Sequence, residues 1–297
     1  MTGSARVPAA PARAPALTGR IWGVLFRNEW FKARKRLAFW LTLGFFSFVT
    51  LMSHGGSYFE ARNDPDVTYG LPEAWSNVFS AETSIFLLIF ACIAVIMLAS
   101  SEFTWRTARQ NGIDGLSKTQ WFWGKAMLLP MLGVLYVGAV VLIGGGIGFL
   151  GTDVGAASGP ILPLGVLEAT GGLLLAFASV GGLALFLALA VRSTGGAMAV
   201  WFLWIFPMEQ LIVPGVFGKI LPFLKDYFQY QPFAAAQRLL AFESYDPAAY
   251  DRLVAARVAA ERTPPPPPDL TAVLWVNAGW AVLFLVAGFV WFRRRDL

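Results

Sequence analysis

Charge is what this sequence has least of: Asp, Glu, Lys and Arg make up 14% of 297 residues, where a soluble domain carries about a quarter. Histidine and cysteine are scarcer still, with one of each. A lone cysteine, Cys92, excludes an internal disulfide and argues against a metal cluster; inside an apolar run it reads as a small buried side chain. His54 stands at the end of the first apolar run, and no G-x-S-x-G context supplies it with a nucleophile. It is read as a loop histidine facing water, not as part of a hydrolase. The phosphate-cradling loop G-x-x-x-x-G-K-[ST] is also missing: the nearest string, PGVFGKI, has neither the spacing nor the hydroxyl. No catalytic, cofactor-binding or metal-binding residue is expected in this chain, and no nucleic-acid partner.

Apolar length is what the sequence has in excess. With 57% hydrophobic residues, it offers six runs able to cross a ~30 Å hydrocarbon core as helices. They cover roughly Ala38 to Ser53, Thr83 to Ser100, Ala126 to Leu150, Leu164 to Val191, Ala197 to Val213 and Thr271 to Phe292. The first is short, and the fifth, carrying Pro207 and Glu209, is expected to stop early or bend. The fold class is therefore an all-α integral membrane protein with six transmembrane helices. The central thirds of these runs contain no ionisable residue, which disfavours an ion-driven carrier. Glu82 and Glu168 sit near outer ends, Glu102 and Lys125 near inner ends, all expected within reach of water, with Glu168 the carboxylate to watch.

The basic residues give the orientation. Arg20, Arg27, Lys32, Arg34, Lys35 and Arg36 precede the first run against Glu29 alone, whereas the loop from His54 to Glu82 holds five carboxylates against Arg62. Arg106, Arg109, Lys118 and Lys125, then Arg192, then Arg293 to Arg295 fall on alternate connections, so both termini are expected in the cytoplasm. Residues 1–19 are Ala/Pro-rich without an apolar core and read as a disordered tail ahead of one membrane domain, 20–297. Over 20–37 helical spacing puts Arg20, Arg27 and Arg34 on one side and Ile21, Trp22, Leu25, Phe26 and Trp30 on another, with Glu29 and Phe31 breaking the pattern. An interfacial helix with its bases on lipid phosphates and plain anchoring beside a first span both account for this.

Between the fifth and sixth runs, 207–270, Pro207, Pro214, Pro222 and Pro232 punctuate apolar pieces too short to span. These read as re-entrant helices dipping into the outer leaflet or packed on the bundle. An external helix then starts at Asp246 as N-cap with Pro247 behind it, and Pro264 to Pro268 form a stiff spacer. The third and fourth runs are glycine-rich and should pack closely against other helices.

The polar island SEFTWRTARQNGIDGLSKTQWFWGK lies between the second and third runs. It resembles the loop joining the second and third helices of ABC-2 type permeases, the six-helix membrane subunits of ATP-binding-cassette exporters. By position Glu102 takes that loop's glutamate, Thr107 its turn threonine, Ser117 and Lys118 its Ser-Arg pair, and Gly124 and Lys125 its closing Gly-Lys. RNEWFKARKRLAFW is similar to the family's basic entry segment, with Glu29 and Lys32 at its Glu-x-x-Lys. Gly115 stands where the family has proline, and NGID replaces its leucine-rich step.

The resemblance implies a homo- or heterodimer of permease subunits with the translocation path between them, in a bacterial plasma membrane. Separate ATPase subunits, which hold the ATP and Mg, would dock on a coupling helix within 101–125. Glu102, Arg106, Thr107, Arg109, Asp114, Ser117, Lys118 and Lys125 are its candidate contact residues, while Trp22, Trp30 and the three N-terminal arginines face the membrane surface with its lipids. Charge-poor spans suit an apolar or amphipathic cargo. The competing reading is a non-transporting anchor that recruits a cytoplasmic protein.

Overall fold

The computed structural model describes residues 19–64, 71–105, 116–151, 162–240, 245, 247–259 and 269–295. Among them there is no strand, and six helical stretches are long and apolar enough to cross a membrane: Leu37–Asn63, Ala74–Thr104, Lys118–Gly151, Leu164–Val191, Thr194–Ile220 and Leu270–Arg294. The chain is a multi-pass membrane protein.

An amphipathic helix α1 (Gly19–Arg34) leads into α2 (Leu37–Asn63), the first span. The corner between them is two residues long, with Arg36 extended at φ −96° and the Trp40 indole donating to the Arg34 carbonyl at 2.7 Å. A short helix α3 (Leu71–Val78) precedes α4 (Ala81–Thr104), which Ser80 caps by accepting from the Thr83 N–H. The third span is α5 (Lys118–Ala126) running through one turn at Met127 into α6 (Leu128–Gly151). Then come α7 (Leu164–Val191) and α8 (Thr194–Leu203), joined by a tight reversal in which Arg192 takes the left-handed conformation, φ 58°. Helices α4 and α7 form the centre, with α2, α6, α8 and a last helix, α11 (Leu270–Arg294), packed around them. One end of the bundle gathers Lys32, Arg36, Lys118, Lys125, Arg192 and Arg293 to Arg295, and is called the basic end below.

Three expectations need correction. His54 is not in a loop facing water: α2 continues to Asn63, and His54 is buried inside it against Gly144 of α6. The loop expected from His54 to Glu82 instead contains α3, whose Trp75 and Val78 press on Gly145 and Gly144. A side-chain-free strip on α6 lets the short helix lie this close. The fifth span does not stop at Pro207. It continues from α8 as a π-helix over Trp204–Phe217, containing Pro207 and Pro214, and ends in one α turn, Gly218–Ile220. Proline lacks an N–H and its ring collides with the carbonyl one turn back; wider turns make room for both.

At the end opposite the basic one, a 3₁₀ segment (Pro222–Tyr230) and a short helix α9 (Pro232–Arg238) fold back on α7 and α11. Buried polar side chains hold this segment. Glu209 accepts from the Trp204 indole at 2.6 Å and from the N–H groups of Phe233 and Ala234 at 2.9 and 3.2 Å. Asn277 of α11, fully buried, donates to the carbonyls of Ala235 and Val273 and accepts from Ser179 of α7. Trp280 donates to the Tyr230 carbonyl at 2.7 Å. Asn277→Leu is therefore expected to lower stability by about 1–2 kcal/mol and to raise proteolysis in 222–240 first; a melt in mild detergent with mapped cleavage sites checks both. Helix α10 (Pro247–Ala259) follows as the sequence suggests; its expected N-cap Asp246 and the run Pro264 to Pro268 lie outside the described residues.

Candidate functional site

Four charges far apart in the sequence meet at the basic end. Glu29 and Lys32 are one turn apart on α1, Glu102 is in the last turn of α4, and Lys125 is in the last turn of α5. Lys125 donates to Glu102 at 2.7 Å and also to Glu29; Lys32 donates to the same Glu102 oxygen at 2.9 Å and to Glu29 at 3.3 Å. Each ammonium bridges both carboxylates, so the four form a closed, alternating ring with no net charge. Trp121 completes it: its indole N–H donates to the second Glu102 oxygen at 3.0 Å, and its ring stacks on Phe292 of α11 at 4.6 Å.

The ring is dry. Glu102 and Lys125 are each 1% exposed and Glu29 7%, which corrects the expectation that Glu102 and Lys125 reach water. α1 lies over them, and Trp121, Phe122 and Phe292 wall off the other side. Burial also explains why Glu29 interrupts the amphipathic pattern of α1. The inward face is Leu25, Glu29 and Ala33, so the carboxylate points into the bundle, while Arg27, Arg34, Phe26 and Phe31 are exposed. Gly124 faces this contact, and a Cβ there would meet Leu25 at 3.7 Å and Glu29 Oε1 at 4.0 Å, ordinary contact distances. For Lys32, burial pulls the ammonium toward the neutral form, but Glu29 and Glu102 more than offset this and hold it above its usual 10.5. Its contribution is therefore fully present at neutral pH and is lost only as pH rises through that raised value.

The other candidates distribute as follows. Ser117 caps α5 in a reciprocal capping box: its hydroxyl accepts from Gln120 N–H, and the Gln120 side chain accepts from Ser117 N–H. Lys118 donates to the Arg295 carbonyl at 2.9 Å, tying the start of α5 to the end of α11. Trp22 and Trp30 are half-buried, packing edge-on against Trp123 and Phe39, each at 6.0 Å. Arg106, Thr107, Arg109 and Asp114 lie outside the described residues, as does the side chain of Arg20. Glu168 is exposed, in keeping with a head group in water.

The arrangement is an ion cluster that joins α1, α4 and α5. It ties α1 to the end of α4 before residues 106–115, through Glu102, and to the far end of α5 after them, through Lys125, with Trp121 midway along α5. Sequence reasoning missed Trp121 as a donor and the role of Asn277 and Glu209. The signal for Trp121 was its i, i+4 spacing to Lys125.

A family model described as ABC-2 family transporter protein matches residues 25–209, well over half of the 297-residue chain. The chain belongs to the ABC-2 transporter family. The matched region starts at Leu25 and ends at Glu209, so it holds the whole ring, the first four spans and part of the fifth, while the last helix lies beyond it. Among curated proteins nothing matches the chain. Membership makes it a transmembrane permease component of an ABC transporter, the membrane part and not the ATPase.

Proposed function

We propose that this ABC-2 permease exports its cargo with energy received from separate ATPase subunits that dock on residues 101–125, and that the four-charge ring transmits their motion. The ring is the observation that carries this reading. Both ends of the expected docking loop are fastened through one largely buried ion cluster to α1 and, by Trp121, to α11. A push on 106–115 would then move α1, α4, α5 and α11 together, because a buried ion ring resists extension far more than an apolar contact does. In this reading the basic end and both termini are cytoplasmic and α1 lies in the interface of a bacterial plasma membrane. Two permease subunits enclose the path, and the charge-poor spans pass an apolar or amphipathic cargo such as a lipid-like molecule, drug or peptide.

The test is purification in mild detergent with identification of what co-purifies, followed by ATPase and transport assays in proteoliposomes. An ATPase should co-purify, and Arg109→Glu or Gly112→Pro should cut transport per ATP at least about tenfold while the protein stays inserted. Unchanged transport in both variants sinks the coupling role of the loop, and a partner that hydrolyses nothing sinks the proposal and leaves a membrane anchor. Transport that persists without ATP and collapses with the ion gradient would assign a secondary carrier.

A further inference from the structure

A groove of about 590 Å³ opens at the basic end where α1 turns into α2, bounded also by the last turn of α4 and the first residue of α8. Its rim is basic and aromatic, from Lys35, Arg36, Phe31 and Trp105; its floor is apolar, from Leu37 and Met97. No carboxylate lines it among the described residues. The third base at its edge, Lys32, is neutralised within the ring, which leaves Lys35 and Arg36 as the charges the groove presents. Lys35 is exposed, with its ammonium 4.5 Å from the Phe31 ring. Arg36 lies 5.4 Å from the ring of Trp105 and makes only a long contact, 3.4 Å, to the Leu98 carbonyl, so most of its five donors point elsewhere. Leu37 and Trp105 are 71% and 69% exposed.

Two adjacent cations above an apolar floor, beside an exposed indole at the end of a transmembrane helix, match an amphiphile with an anionic head. We propose that this groove binds an anionic phospholipid, its phosphate between Lys35 and Arg36 and the start of an acyl chain along Leu37 and Met97. A soluble phosphate would leave the apolar floor and the Trp105 ring wet, which is why the lipid is the better occupant. The groove shares Ser101 and Trp105 with the proposed docking segment, but lipid binding there does not depend on ATPase docking.

The test is native mass spectrometry of the full-length protein released from micelles supplemented with phosphatidylglycerol or phosphatidylcholine. Phosphatidylglycerol should be retained preferentially, and Lys35→Ala with Arg36→Ala should weaken that retention about tenfold or more, with phosphatidylcholine unaffected. Arg293→Ala with Arg294→Ala removes the same charge from exposed positions of α11 at the same end of the bundle but outside the groove, and should change retention less than about twofold. Lys35→Glu, which alters one exposed side chain, gives the same direction should the double variant fold poorly. Equal losses in the two double variants would reduce the effect to diffuse surface attraction and overturn the site. So would absence of a phosphatidylglycerol preference, or displacement of the lipid by millimolar inorganic phosphate.

Discussion

Lys125→Met is expected to cost about 3–5 kcal/mol of stability, the largest loss of any single change at the basic end. It removes the ammonium that both Glu29 and Glu102 share and leaves two buried carboxylates with only Lys32 between them. The cost comes from the stranded charge more than from the lost contacts. Adding Glu102→Gln should therefore restore part of the stability instead of lowering it further. In the double variant Glu29 and Lys32 remain as a neutral pair, and the glutamine can still accept from Trp121. Thermal unfolding in one fixed detergent, run as a double-mutant cycle, measures this directly. Additive losses would mean that the ring is not a coupled unit. The double variant also separates folding from function: if the ring transmits motion, transport per ATP stays depressed even where stability recovers.

Gly144→Ala should be the most damaging change among three consecutive glycines of α6 that look equivalent in sequence. A Cβ at Gly144 would sit 2.2 Å from Val78 Cγ2, and one at Gly145 would sit 2.6 Å from the Trp75 ring, whereas nothing lies within 4 Å of the corresponding position at Gly146. The first two substitutions should each cost about 1–3 kcal/mol by forcing α3 away from the third span. Gly146→Ala should be neutral or stabilising by up to about 1 kcal/mol, since glycine is the poorer helix former. Val78→Ala removes the colliding methyl and should rescue Gly144→Ala without rescuing Gly145→Ala. Melting temperatures of the five variants suffice, and equal effects at 144 and 146 would refute the assigned packing.

Much of the fold was legible because the constraint is strong and local. A helix that crosses hydrocarbon must be about 20 apolar residues long, and that length is written in the sequence whatever its neighbours are. Where the reading slipped, the deciding contact was not local. The first span outran its apolar run: His54 is buried against Gly144, while most of the residues after it, up to Asn63, continue the helix exposed. The fifth passed Pro207 and Pro214 because π turns accommodate them, and because Glu209 reaches across to the N–H groups that open α9.

The site divides in the same way. Its residue types were visible: Glu29 and Lys32 at a helical spacing, and Glu102 and Lys125 at the two ends of the polar island. That they form one ring was not, because Glu29 and Lys125 lie 96 residues apart in the chain. Read singly, each resembles an interfacial charge with its head in water. Sequence alone determined the class of this protein, a membrane chain with six apolar spans, since hydropathy is a property of composition and order. Only the tertiary structure decided which charges leave water, because an ion can be buried only where its counter-ion is brought to it, and that depends on how α1 lies across α4 and α5.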